Sequence, residues 1–270
     1  MKKILLTLAL LATSLIAEVS DKWKINVGTM FVTNFESEIA FKPDGFPLTA
    51  SINSKDTLGL EAETNVLKVD SYYRFNDKHM IEGSYFAIRS SGNKTSSQKI
   101  QWDDNTTIGA NAALNSYLNM SIVKINYAYS FYHTDEVELA ITAGLHITSI
   151  ELGLKAEGNI NNNGTVSLSY DTDTSMTVPL PTLGFKGQYT IIDKTLFVNY
   201  RTDIFFLAFD DYKGSLVTAD LSLEYRFVEH VGVGVGFNTN QIDVEKKTDG
   251  NVVKFNNSIA GATLYLTYVY

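Results

Sequence analysis

Along most of the chain apolar and polar residues alternate with a period of two. The last eleven residues show it most plainly: Ala260, Ala262, Leu264, Leu266, Tyr268 and Tyr270 share one parity, while Gly261, Thr263, Tyr265 and Thr267 hold the other. Such a run is a strand with one apolar face, about as long as a tilted strand needs to cross a bilayer. The stretch from Val217 to Phe227 repeats the rule, with Val217, Ala219, Leu221, Leu223, Tyr225 and Phe227 against Thr218, Asp220, Ser222, Glu224 and Arg226. Slipping it by one residue would turn three charges toward the apolar side, so its register is strongly specified.

Four polar breaks interrupt the alternation with a shared signature. Tyr73-Arg74-Phe75 precedes Asn76-Asp77-Lys78, Tyr129-Ser130-Phe131 precedes His133 to Glu136, Tyr189-Thr190-Ile191 precedes Asp193-Lys194, and Tyr225-Arg226-Phe227 precedes Glu229-His230. Tyr268-Val269-Tyr270 is a fifth copy at the end of the chain. This is an internal repeat of hairpins, each strand ending on aromatics before a tight turn. Aromatic rings with polar tips belong where hydrocarbon meets headgroups, as in the girdles of membrane barrels.

Counting between the turns predicts ten strands, near Trp23–Thr33, Asn65–Phe75, Met80–Ile88, Met120–Phe131, Val137–Thr148, Thr182–Ile191, Leu196–Ala208, Val217–Phe227, Val231–Asn238 and Ala260–Tyr270. Eight or twelve remain open. Long polar connections are expected on the opposite side from the turns, at Asn34–Thr64, Arg89–Asn119 and Ser149–Thr177, with shorter ones around Phe209–Gly214 and Thr239–Ser258. Short periplasmic turns and longer extracellular loops are the asymmetry of an outer-membrane barrel. The predicted fold is therefore all-β, a closed antiparallel up-and-down transmembrane barrel. Its rival is a soluble barrel with the apolar face inward, which explains the same alternation.

The polar face separates the two. Gly28, Gly144, Gly184, Gly232, Gly234 and Gly236 fall on it, and small residues make room inside a narrow barrel. Its charges nearly balance: Lys24, Lys68, Arg74, Lys124, Lys186, Arg201 and Arg226 against Asp70, Glu82, Glu138, Asp203, Asp220 and Glu224. The chain as a whole carries 22 basic and 30 acidic residues, so this balance points to mutual pairing in a confined lumen.

Residues 1–17 read as a secretory leader, with Lys2 and Lys3 before an apolar core from Ile4 to Ile16 and cleavage after Ala17. The barrel domain is then 18–270. Without Lys2 and Lys3 the basic count falls to 20 against 30, a mature charge of −10, which argues against a nucleic-acid partner. Cysteine is absent from the 270 residues, so no disulfide framework holds the exported fold.

Candidate chemistry is sparse. His79, His133 and His230 stand in or beside the predicted periplasmic turns, and His146 alone points into the lumen from mid-strand. A single lumen histidine with no local Ser or Glu motif reads as a hydrogen-bonded packing residue rather than a base. Asp210-Asp211 invites comparison with ten-stranded outer-membrane proteases, which use aspartates and a histidine at the extracellular rim. Here no rim histidine completes the set, and Asp-Asp-Tyr-Lys-Gly reads as a tight turn. Asp171 and Asp173 lack the spacing and closing Glu of a calcium loop, and no zinc spacing or phosphate-binding glycine loop is present. Catalytic residues, metal ligands and cofactors are thus all expected to be none. The first long connection carries Glu36, Glu38, Asp44, Asp56, Glu61 and Glu63 against Lys42 and Lys55, a solvated acidic loop with no partner specified.

On the terminal strand, the aromatic turns and the dyad pattern, the chain resembles the small outer-membrane β-barrel proteins of Gram-negative bacteria, the broad OmpA/OmpW-like class. The resemblance implies location in the cell outer membrane, contact with its lipid and lipopolysaccharide, and recognition of the C-terminal strand by the barrel-assembly machinery. It implies little about activity, because one barrel serves pores, adhesins, enzymes and anchors alike. The leading expectation is a non-enzymatic barrel with a surface-interaction role. Its lumen is plugged by a network of Lys68, Asp70, Arg74, Glu82, Lys124, Lys186, Arg201, Asp203, Asp220, Glu224 and Arg226. The alternatives are a narrow pore filtered by Lys186, Arg201 and Arg226, and a lipid- or peptide-modifying enzyme at the rim around Asp210 and Asp211.

Overall fold

The structure is a computed structural model. It describes residues 21–43, 50–62, 65–101, 106–162, 165–209, 211–248 and 251–270. The expected leader and cleavage site, and Asp44, Glu63 and Asp210, lie outside the described residues. Among the described residues there are fourteen strands: β1 (Trp23–Pro43), β2 (Ala50–Asn53), β3 (Glu61–Ala62), β4 (Asn65–Asn76), β5 (His79–Thr95), β6 (Ile100–Gln101), β7 (Thr106–Ile108), β8 (Ala113–His133), β9 (Val137–Asn162), β10 (Thr165–Ile192), β11 (Leu196–Phe209), β12 (Tyr212–Val228), β13 (Val231–Thr248) and β14 (Asn251–Val269).

Ten of them form the wall, in the order β1-β4-β5-β8-β9-β10-β11-β12-β13-β14, each antiparallel to the next, and β14 pairs back onto β1. The seam runs from Lys24 opposite Val269 to Pro43 opposite Asn251, and Trp23 and Tyr270 exchange both backbone bonds at 2.8 Å. The sheet is thus a closed cylinder. The four short strands β2, β3, β6 and β7 attach at the end away from the tight turns.

Near the turns the faces stand as the alternation predicts. Val27, Ile125, Tyr127, Ile141, Leu145, Leu221, Leu223 and Leu264 are exposed on the outside, whereas Lys24, Lys124, Asn126, Glu138, Thr142 and Glu224 are buried within. A soluble monomer does not leave so much contiguous apolar surface in water. This band faces hydrocarbon, which rules out the apolar-inward soluble rival. The paired aromatics Tyr73/Phe75 and Tyr225/Phe227 are exposed outward beside their turns, and Tyr73 and Phe75 pack edge to face at 5.2 Å.

The strands are much longer than the predicted ones, and the reason is a reversal of which face is apolar. On β8, Val123, Ile125, Tyr127 and Phe131 point outward with Lys124, Asn126 and Ser130 inside; from Ile122 upward the same inward parity turns apolar, and Leu114, Leu118, Met120 and Ile122 are buried inside. Asn115 and Asn119 share the outer parity there. Strand β9 swaps at Thr148-Ser149, from inward Thr142 and His146 to inward Ile150, Leu152 and Leu154. A strand needs roughly 9–11 residues to cross a bilayer, whereas β10 has 28. The cylinder therefore continues into extracellular water, where the outside must be polar and the inside is free to be apolar. Much of the three predicted long loops is this continuing wall: β1 and β5 run on to Pro43 and Thr95, β8 starts at Ala113, and β9 and β10 together span almost all of Ser149–Thr177.

The extracellular interior is filled. One buried apolar cluster takes Met30, Val66, Phe86, Ile88, Leu118, Ile122, Leu152, Leu180, Leu216, Ile242 and Ile259 from the wall, with Phe205 of β11 packed against it, so that all ten wall strands contribute. Loop residues complete it. The segment after β2 brings in Leu58 and Leu60, and Ile100 and Ile108 come from the β6–β7 hairpin. Ser116 donates to the Leu58 carbonyl at 2.9 Å. Gly59 adopts a φ of +67°, and its backbone occupies the space that a Cβ on Gly92 would need, so both glycines are required for the segment to tuck in.

The reversal makes a testable contrast between two outward positions. Leu223→Arg is expected to destabilise the barrel by about 2–4 kcal/mol, the range for a basic residue near the midplane. Gln241→Arg, outward on β13 above the swap, is expected to stay within about 0.5 kcal/mol. Urea unfolding in lipid vesicles measures both.

Candidate functional site

Below the apolar cluster the lumen holds paired charges. At the turn end, Arg226 binds Asp21 at 2.6 Å and Glu224 at 3.1 Å, Lys24 reaches Glu224 at 2.5 Å, and the Arg226 guanidinium lies 4.2 Å over the Phe197 ring. Arg74 binds Glu138 at 2.8 Å, and the Ser130 hydroxyl donates to the same carboxylate. Glu82 is shared by Lys186 and Arg201, each at 2.6 Å, and Arg201 continues to Asp203 at 3.0 Å. Lys68 joins Asp70 at 3.3 Å and Asp220 at 3.0 Å; Lys124 stands 3.7 Å from both Asp203 and Asp220 and donates to Thr218 at 3.2 Å.

Every residue named from the sequence for this network has an ion-pair partner, as do Lys24 and Glu138. Asp21 is the group that strand-by-strand reading missed. It lies just before the first strand, and it brings the layer to seven cations and seven anions. An acidic residue ahead of Trp23, facing a column that was one anion short, was the available signal.

A cavity of about 150 Å³ remains among these charges, lined in part by Asn26, Asp70, Ser84, Gln188, Asn199 and Ser222. Tyr265 crosses beside it. Gly28 on β1 and Gly234 on β13 are its direct neighbours in register, and a Cβ at either would strike Tyr265. The Tyr265 hydroxyl donates to Ser222 at 3.1 Å. Small residues on the inward face thus make room for a large one, as their spacing suggested.

The remaining candidates are dispersed. His146 is buried between the charged layer and the apolar cluster, its Nε2 3.1 Å from the Thr148 hydroxyl. His79 packs against Tyr127 and Tyr129, His230 lies 6.3 Å from the Tyr268 ring, and His133 Nδ1 is 3.0 Å from the Asp77 carbonyl, all beside the tight turns. Asp211 is exposed and its carbonyl accepts from the Lys247 amide at 2.8 Å. Asp171 and Asp173 are exposed on β10, opposite Lys155 and Gly153. Among the described residues no His, Asp and Glu side chains gather in a set able to hold a metal ion.

No protein-family model and no curated protein matches the chain. Solved structures do. The outer membrane protease OmpT from Escherichia coli is 11% identical, covers 96% of this chain and 100% of its own, and superposes with a TM-score of 0.58. Ail, the attachment invasion locus protein of Yersinia pestis, is 10% identical over 90% of this chain and 99% of its own, with a TM-score of 0.28. The toluene transporter TodX of Pseudomonas putida is 10% identical over 92% and 89%, with a TM-score of 0.39.

The molecule is an outer-membrane β-barrel. A closed wall, an apolar exterior band and an ionic interior place it there, and the OmpT likeness shows the same fold. At 11% identity that likeness carries the architecture and nothing of the protease's chemistry.

The network predicts unequal costs for its members. Glu82→Ala removes the buried carboxylate shared by Lys186 and Arg201, leaving Lys186 without its ion pair and Arg201 with Asp203 alone, and is expected to lose about 3–5 kcal/mol. Asp70→Ala, at a carboxylate 34% exposed, is expected to lose about 1 kcal/mol or less. Heat-modifiable gel mobility followed through a urea series reports both.

Proposed function

We propose that the protein is a closed barrel that neither conducts solutes nor catalyses a reaction, and that it acts through its extracellular surface. The observation that carries this reading is the apolar cluster to which all ten wall strands contribute. It lies across the lumen above the paired charges, so a solute entering from outside meets a dry core before it meets Lys186, Arg201 or Arg226. An ion would have to leave water for that core at a cost of many kcal/mol. The same core supports a packing role for His146, which it separates from the extracellular side. The lipid-facing band and the polar wall above it fit contact with acyl chains and with lipopolysaccharide. The outward apolar parity of β14, with Leu264 and Leu266 exposed, fits recognition by the assembly machinery.

In planar bilayers the purified barrel is expected to show no sustained single-channel conductance. Steady openings on the scale of a general porin would overturn the reading in favour of the narrow pore.

A further inference from the structure

Above the membrane band the wall parts between β10 and β11. Strands β10 and β11 pair only from Leu183 opposite Ile204 down to Ile192 opposite Leu196. Above that, β10 from Thr165 to Thr182 pairs with β9 alone, and β11 from Phe205 to Phe209 pairs with β12 alone. Among the described residues no other strand takes either edge. Pro179 and Pro181 sit where the pairing stops. Proline is tolerated in a strand only where its nitrogen faces away from the neighbour, and β9 pairs across both positions. Their nitrogens therefore face β11, and they end that ladder. By the same parity the amides of Asp171, Asp173, Ser175 and Thr177 point out of the free edge.

Side chains at this opening stand apart from the rest of the surface. Leu168, Val166 and Phe206 are the three most exposed large apolar residues among those described, at 76%, 69% and 68%. Met176 and Leu207 have inward parity yet are nearly half exposed, unlike their buried counterparts Leu216 and Ile242. Charge is one-sided as well. On the outer parity of β9 and β10 above the swap, Glu151, Glu157, Asp171 and Asp173 face a single cation, Lys155.

We propose that the free edge of β10 between Thr165 and Thr177 is a docking site for an extended peptide segment that adds as a strand, with basic and apolar residues alternating. The edge amides and carbonyls supply main-chain hydrogen bonds, and alternate side chains of the guest supply selectivity. Basic residues on the outer face meet Asp171 and Asp173, while apolar ones cover Met176 and Leu207. A second copy of this chain is a poorer guest. Antiparallel self-pairing centred on this stretch sets Asp171 against the same residue of its mate, and like charges directly opposite are destabilising. The site gives the proposed surface role a location and a partner chemistry. Conductance reports on the lumen and peptide binding on the edge, so either idea fails without the other.

The test uses the refolded full barrel in detergent micelles and fluorescence polarisation with three synthetic probes. They are a short peptide alternating lysine with valine, its glutamate–valine counterpart, and the lysine–valine peptide N-methylated at alternate residues. The first is expected to bind at least about tenfold more tightly than either of the others. Ser175→Pro removes an outward amide without touching the β9 ladder and is expected to abolish binding, whereas Ser175→Ala retains it; Asp171→Asn with Asp173→Asn is expected to weaken it about tenfold. If Ser175→Pro does not fold, the N-methylated probe against the native barrel carries the same test. Equal binding of all three probes overturns the proposal. So does concentration-dependent dimerisation in light scattering that Ser175→Pro abolishes, which would assign the edge to a second copy.

Discussion

Hydrocarbon offers a peptide group nothing to hydrogen-bond, so a sheet that enters a bilayer must close on itself. Everything else in this molecule follows from that closure. It forces β14 back onto β1, divides every wall strand into an outer and an inner face, and confines seven cations and seven anions where each finds its partner only in another. Paired charges in a confined space are costly to desolvate and costlier to orphan. The network therefore specifies an arrangement more than it adds stability.

The lumen then divides into two storeys because the solvent outside changes along its height. Against lipid, polar residues have only the interior to go to, and the ionic storey results. Against extracellular water, the outside takes Asn119, Glu151 and Lys155, and the interior becomes an ordinary dry core sealed by Leu58, Ile108 and their neighbours. A filled core above a neutralised layer is the physical content of the closed-barrel reading. The same extension creates the free β10 edge, since a wall inside the bilayer tolerates no such gap.

Much of this was written in the sequence. Strand number, the faces of β12 and β14, the aromatic turns and the membership of the charge layer all follow from a period of two. Most of what the sequence reading missed has one cause: it assumed a single outer solvent. Under that rule Leu114, Leu118 and Met120 were on the wrong parity, so β8 was cut short and the upper wall was read as loop. The adjacent apolar pair Ile122-Val123 and the polar pair Thr148-Ser149 mark the reversal and were legible. Pro179 and Pro181 were visible too, but only the paired neighbours on either side show that they end a ladder. Leu58 and Leu60 carried no local signal, because their burial depends on Gly59 seating against Gly92 of β5.

The reversal has a bearing on how the sheet finds its alignment. A uniformly alternating strand looks identical after sliding by two places, so parity alone leaves a ladder of equivalent offsets. A strand that changes phase once, as β8 does after Ile122, has lost that symmetry. Shifted by two, it would lift Val123 out of the oil or sink Ile122 among the ammonium groups, and neither fault cancels the other. The phase change acts as a depth mark, by which each strand is levelled against the membrane surface as well as against its neighbours.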